Sequence, residues 1–264
     1  MLDAVLQRPE PCDHLVQAYT SDHFLAEVVA DYIGIGLKRA EAAVIIATAA
    51  HVEAFSSALR VLGIDVTAQV ERRRLLFLDA EQTLAKFMVD GRPDRTSFLR
   101  IVATALEYVR ASAGTGIRLY GEMVDLLWSE NVEATIQLEE LWNSVLADQR
   151  LSLLCAYRMD PLDGAVKGVL RQVTRCHSHF VAVEDYERFE QAVDKAYTDV
   201  FGIGGDVAVL RDLMVSRSGL STKMPAAHAA VFALETMAPI ISSEIRARAR
   251  DQYRAGSRSR SRSS

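Results

Sequence analysis

No run in this 264-residue chain approaches the roughly 20 apolar residues that a helix needs to cross a bilayer. The opening stretch, MLDAVLQRPEPCDHL, has early acids and two prolines and lacks the apolar segment of a secretory signal. A cytoplasmic protein is therefore expected. Cysteine is scarce: Cys12, Cys155 and Cys176 are far apart and form no CxxC pair. Reduced thiols are the expectation, not a disulfide framework. A basic body is missing too. The net charge is −5, and residues 244–264 contribute seven arginines against two acids, or +5, which leaves −10 for the rest. A body of that charge is a poor nucleic-acid surface.

What the sequence does contain is an ordinary globular balance, 50% apolar and 25% charged, in an ordered alternation of two patterns. HLVQAYT (14–20) reads as a short strand. Ser21 or Asp22 can cap the helix that follows, because their side-chain oxygens accept free backbone N–H groups. In that helix Phe24, Leu25, Val28, Val29 and Tyr32 share one face, and Gly34 and Gly36 are expected to end it. AAVIIAT (42–48) is apolar on both faces, as a central parallel strand should be. The pattern repeats with a helix over 50–63, a strand ending at Asp79, a helix over 80–91 and another that starts near Pro93 and Asp94. Then come a strand at 117–122, helices at 123–130 and 132–148, and a strand at 151–157. Strands alternating with helices predict an α/β fold, a parallel sheet sandwiched by helices. After Tyr157 the sequence looks helical throughout. Val231, Leu234, Ala238, Ile241 and Ile245 step by three and four, a narrow seam suited either to a homodimer or to docking on the chain's own domain. Pro239 inside it predicts a kink or a new helix start. The expected organisation is a leader (1–13), an α/β domain (14–186), a helical output or dimerisation segment (187–254) and a disordered Arg/Ser tail (255–264). That tail is read as a solvated end or a weak anion-binding arm.

In an open parallel sheet, ligands bind beyond the carboxyl ends of the strands. Those ends carry Tyr19, Thr20, Ser21 and Asp22, then Thr48 and His51, then Asp79, then Glu122, and finally Cys155 and Tyr157. Each has a plain structural reading. Thr48 and Asp79 suit helix N-caps, His51 a surface position, Glu122 a helix N-terminus and Tyr157 packing. Taken together, Tyr19, Thr20, Ser21, Asp22, Thr48, His51, Asp79, Glu122 and Tyr157 form the candidate ligand-binding set. The first turn, Thr20-Ser21-Asp22-His23, has neither the glycines nor the lysine with which a P-loop wraps and neutralises phosphate, and Asp22 would repel a triphosphate.

Several stretches, in order, carry a family resemblance: HLVQAYTSDHFLAEVVADYIGIGLKRAEAAVIIATAAHVEAFSSAL, LFLDAEQTLAKFMVDGRPD, RLYGEMVDLLWSE, LEELWN, LLCAYRM and CHSHF. They resemble the DcmR-type sensory (MEDS) domain over roughly residues 14–186. The family is similar to RecA- and KaiC-like P-loop ATPases with a degenerate nucleotide loop. GLKRAEAAVIIAT resembles the GL-x-x-G-E stretch of the KaiC-like proteins, with Ala40 in place of a glycine. The matching positions are His14, Tyr19, Thr48, His51, Asp79, Gly121, Glu122, Trp128, Glu139, Trp142, Asn143, Cys155 and Tyr157, and many of them coincide with the strand ends. The two tryptophans also suit core packing. The resemblance implies a RecA/KaiC-like three-layer fold and a role in sensing small molecules, coupled to transcription or signalling. It carries over no catalytic residue.

Enzyme readings find little support. There is no G-x-S-x-G elbow, and the apolar strand around Cys155 suits an inert thiol. Cys176, His177 and His179 offer ligand atoms but no evident fourth at zinc spacing, so no metal and no cofactor are assigned. Residues 206–235 mimic a helix-turn-helix but are not basic, and Gly219 and Pro225 are badly placed for one. The expected partners are a small-molecule ligand and a signalling or transcription protein, with neither membrane nor nucleic acid. A residual nucleotide-binding protein or weak ATPase, and a ligand-free interaction scaffold, are the alternatives.

Overall fold

The structure is a computed structural model that describes residues 4–148, 151–202 and 206–260. The chain divides into two units, 1–158 with 176–179, and 159–175 with 180–264.

The first unit runs α1 (Ala4–Gln7), β1 (His14–Tyr19), α2 (Asp22–Lys38), β2 (Ala42–Ala47), α3 (Ala49–Val61), α4 (Val66–Glu71), β3 (Leu75–Asp79), α5 (Ala80–Ala85), β4 (Met88–Val89), β5 (Arg92–Pro93), α6 (Arg95–Arg110), β6 (Ile117–Gly121), α7 (Met123–Trp128), α8 (Val132–Asp148) and β7 (Leu151–Arg158). Its sheet has the order β3-β2-β6-β7-β1, and a short β8 (His179–Phe180) lies next to β1. The pairs β1–β7, β7–β6, β6–β2 and β2–β3 are all parallel. Helices flank the sheet, as the alternating pattern predicts.

Every residue of β1, β2 and β6 is buried, whereas β3, at the edge, is half-exposed. This burial is why the central strands carry continuous apolar runs. Ser21 caps α2: its Oγ accepts from the Phe24 N–H at 3.2 Å. Leu25, Val28, Val29 and Tyr32 are buried on the inner face of that helix. Phe98 stacks edge-to-face on both Phe87 and Trp142, with centroids 5.3 and 4.9 Å away. Trp142 is therefore a core residue.

Three local expectations need correction. Gly34 and Gly36 do not end α2, which continues to Lys38. Gly36 instead makes room for a neighbour: a Cβ there would lie 2.6 Å from Arg118 Nε and 2.9 Å from Glu41 Oε2. The chain reverses at Ala40, whose φ of +63° is in the left-handed region that favours glycine. The helix expected over 80–91 stops at Ala85. Beyond it Asp90 (φ +50°) and Gly91 (φ +75°) form a two-residue hairpin turn that pairs Val89 with Arg92. Asp-Gly between short strands favours this geometry, because both positions need positive φ. α4 was not expected, though Asp65 caps it through the Ala68 N–H.

The second unit contains α9 (Lys167–Arg175), α10 (Tyr186–Phe201), α11 (Val207–Ser218), α12 (Ala226–Met237) and α13 (Pro239–Arg260). Its core includes Leu162, Phe189, Val193, Tyr197, Val231, Leu234 and Ile245. The apolar seam therefore docks on its own unit, and Pro239 starts a new helix, as proline at a first helical position does. The stretch expected to be helical over 161–180 is helical only from Lys167 to Arg175. The division between units precedes the expected boundary at 186 because Leu162 and Val183 pack with the helices. Of the expected tail, residues 255–260 continue α13, and 261–264 lie outside the described residues. So do residues 1–3 of the expected leader, whose Leu6 is buried in the first unit. Among the described residues no helix is long and apolar enough to cross a membrane.

Candidate functional site

A crevice of about 390 Å³ opens at the carboxyl ends of four adjacent strands, β2, β6, β7 and β1. Each strand end or the helix after it contributes. Tyr19 and Asp22 follow β1, Thr48 and His51 follow β2, Glu122 and Asp125 follow β6, and Arg158 ends β7. The volume is in the range of small-molecule sites. A larger groove, about 700 Å³, runs along α2 and α3, but it lacks the convergent buried polar groups of the crevice.

Glu122 organises the floor. It is only 2% exposed, yet its carboxylate accepts three hydrogen bonds: from the Thr48 N–H at 2.6 Å, His51 Nδ1 at 2.7 Å and the Tyr120 hydroxyl at 2.8 Å. The second ring nitrogen of His51 faces Asp22 Oδ1 at 3.3 Å. A carboxylate accepts, so the short bond to Glu122 puts a proton on Nδ1, and both acidic neighbours favour the charged ring. The hydrogen bond to Glu122 accordingly raises the His51 pKa above its ordinary value, against the lowering effect of burial. Arg158 pairs with Asp22 and lies over the Tyr19 ring, 4.9 Å from its centroid. Burial works to raise the Asp22 carboxyl, but His51 and Arg158 outweigh it and hold it low.

Asp125 forms the opposite wall. It accepts from the Tyr19 hydroxyl at 3.0 Å, Trp128 Nε1 at 2.9 Å and the Arg158 N–H at 2.7 Å. Burial pushes its carboxyl up in spite of these bonds. Burial, reinforced by Asp125, pushes the Tyr19 phenol up as well, so Tyr19 is a neutral donor. The crevice is thus lined by alternating charges, Glu122, His51, Asp22 and Arg158, with the exposed Asp22–Arg158 pair outermost.

Of the candidate set from the sequence, the structure brings together Tyr19, Asp22, Thr48, His51 and Glu122. Ser21 is the α2 cap, and Thr20 is exposed and does not line the crevice. Asp79 ends the edge strand β3, and its Oδ1 accepts from the Gln82 N–H at 2.8 Å as the cap of α5. Thr48 is at the N-cap position of α3, but its side chain makes no capping bond. Tyr157 is fully buried and donates to Glu139 behind the sheet end. Sequence reasoning missed Asp125 and Arg158. Arg158 directly follows Tyr157, one of the strand ends, a position that could have raised it. Asp125 is inside a helix pattern and gives no such signal.

No curated protein matches the chain significantly. A family model does match, over residues 13–178, and it is described as MEDS, the MEthanogen/methylotroph, DcmR Sensory domain. The match takes in β1 to β7 and every residue of the crevice, and the chain belongs to this family of sensory domains.

Proposed function

We propose that this is a cytoplasmic regulatory protein that binds a small polar molecule in the strand-end crevice and signals through its C-terminal helices to a partner protein. The convergence of seven polar or aromatic side chains from four adjacent strand ends supports this reading. A fold alone does not require that convergence. The ligand would carry a group that competes with Asp22 for Arg158 and His51, because that pair is the exposed and displaceable part of the network. Binding would favour one arrangement of the site over another, and the population shift would be the signal. The reading is of a binding module and not an enzyme. Asp22, Glu122 and Asp125 line the crevice with three carboxylates, which would repel a triphosphate there and disfavours the ATPase alternative.

The test is a thermal-shift screen of the full chain with a panel of small anionic and neutral metabolites and, separately, with Mg-ATP. A native-state ligand raises the melting temperature by mass action. A metabolite shift is expected, weakened about tenfold or more in affinity by Arg158→Ala, since a charge-assisted hydrogen bond contributes about 1.5–3 kcal/mol. A shift that survives both Arg158→Ala and His51→Ala places the ligand elsewhere. An Mg-ATP shift would replace the reading with nucleotide binding, and silence from both would favour the scaffold.

A further inference from the structure

Behind the crevice, four side chains of the first unit meet inside the protein. His14 begins β1, Glu139 is in α8, Cys155 is in β7, and His177 follows α9. All four are buried, at most 4% exposed, and their ligand atoms lie within 4.8 Å of one another. His14 Nε2 is 3.4 Å from Cys155 Sγ and 3.2 Å from Glu139 Oε2. His177 Nε2 is 3.4 Å from Glu139 Oε1, and Cys155 Sγ is 3.6 Å from Glu139 Oε2. A tetrahedral ion with bonds of about 2.0–2.3 Å sets its ligand atoms about 3.3–3.8 Å apart. With Glu139 Oε2 as the carboxylate ligand, three of the six edges of such a tetrahedron, those joining His14, Cys155 and Glu139, are therefore already close to their required length, and His177 approaches the same carboxylate from its other oxygen.

The surrounding groups orient these donors. His14 Nδ1 is 3.1 Å from the Cys176 carbonyl and 3.0 Å from Asn143 Oδ1. A carbonyl only accepts, so Nδ1 carries a proton and Nε2 is turned inward. Asn143 is itself fixed, since its Nδ2 donates to the same carbonyl at 2.9 Å. The Tyr157 hydroxyl donates to Glu139. A histidine whose outer nitrogen is tied to a carbonyl, beside a ligating carboxylate that is hydrogen-bonded in turn, is the arrangement that supports metal ligands.

We propose that His14, Glu139, Cys155 and His177 bind one divalent cation of the zinc class. Two imidazoles, a thiolate and a carboxylate present two negative charges to a dication. Their nitrogen and sulfur donors select zinc or a neighbouring transition metal over magnesium or calcium. Binding releases the Cys155 proton to solvent. The ligands come from positions of which the closest pair in sequence, Glu139 and Cys155, are 16 residues apart. The ion thus ties together β1, α8, β7 and the 176–178 segment. Cys176 and His179, the near neighbours of His177 in sequence, do not supply ligands. The Cys176 carbonyl faces His14, and His179 Nδ1 bonds Ser178 Oγ at 2.9 Å.

The experiment uses the full chain, stripped with a chelator and titrated with Zn²⁺ and with Co²⁺. One equivalent of metal should bind, and cobalt should show both tetrahedral ligand-field bands and a thiolate-to-cobalt charge-transfer band. Cys155→Ala should lose the charge-transfer band, while Cys176→Ala and His179→Ala should keep it. If Cys155→Ala does not fold, Asn143→Ala decides the matter: it retains all four ligands and should bind about 10- to 100-fold more weakly. Folded wild-type protein that takes up no metal would mean that the cluster is a proton-sharing network, and the proposal fails. A charge-transfer band that survives in Cys155→Ala, or unchanged affinity in Asn143→Ala, would also overturn it.

Discussion

Replacing Glu122 with glutamine tests the centre of the crevice without removing its shape. The wild-type carboxylate accepts from Thr48, His51 and Tyr120 at 2.6–2.8 Å. If the new amide oxygen faces the Thr48 N–H, the amide nitrogen must face His51 Nδ1 and Tyr120. The tyrosine hydroxyl can rotate and accept. His51 can accept only by losing its Nδ1 proton. Three charge-assisted bonds become at best neutral ones, each weaker by about 1 kcal/mol, so Glu122→Gln should lose about 2–3 kcal/mol. The loss depends on pH. Glu122 raises the His51 pKa, so the stability gained from this pair is fully present below the unfolded histidine value, about 6.5, and is lost as pH rises through the higher folded value. The gap between wild type and Glu122→Gln should therefore be widest near about pH 6 and narrow in alkali. Urea unfolding followed by tryptophan fluorescence measures it, and both tryptophans, Trp128 and Trp142, are in the first unit. Equal stabilities, or a gap that does not change with pH, would refute the reasoning.

Gly36→Ala should destabilise by more than about 1 kcal/mol, although alanine is ordinarily the better helix residue by that amount, because its Cβ would strike Arg118 and Glu41; chemical denaturation reads the sign directly. Asp79→Ala should cost about 1 kcal/mol as a lost helix cap and leave every ligand response unchanged, which a thermal shift with and without ligand checks. In the second unit His228 is fully buried and stacked on Phe189 with centroids 4.4 Å apart. Burial, with Arg246 nearby, pushes its pKa down to about 3. The unfolded chain thus binds a proton that the folded one refuses, and stability falls as pH drops from about 6.5 towards 3, by about 2 kcal/mol between pH 7 and pH 5. His228→Phe should flatten that acid limb in circular-dichroism melts, and an unchanged slope would locate the sensitivity elsewhere.

The sheet was legible because burial on both faces writes itself into the sequence as short, continuous apolar runs. β1, β2, β6 and β7 could be located within about a residue on that ground. The hairpin at Asp90-Gly91 was hidden by an apolar pattern that suits a helix equally well, and only the positive φ at both turn residues distinguishes the two. Gly36 looked like a helix end because glycine is usually read as conformational freedom, whereas here it makes space for Arg118. Asp79 and Glu122 looked alike in sequence, each an acid at a strand end. Strand order separated them: β3 is at the edge, and β6 lies between β2 and β7.

By itself, then, the sequence determined the class of fold, the strand ends at which a site can form and the family motifs in order, because these depend on local periodicity and on residues close together along the chain. The tertiary structure decided which strand ends are neighbours. It set Arg158 and Asp125 against Tyr19, and it brought His14, Glu139, Cys155 and His177 to one buried point from four separate segments. No local pattern encodes such meetings, because they follow from the order in which strands join the sheet and from how the helices pack against it.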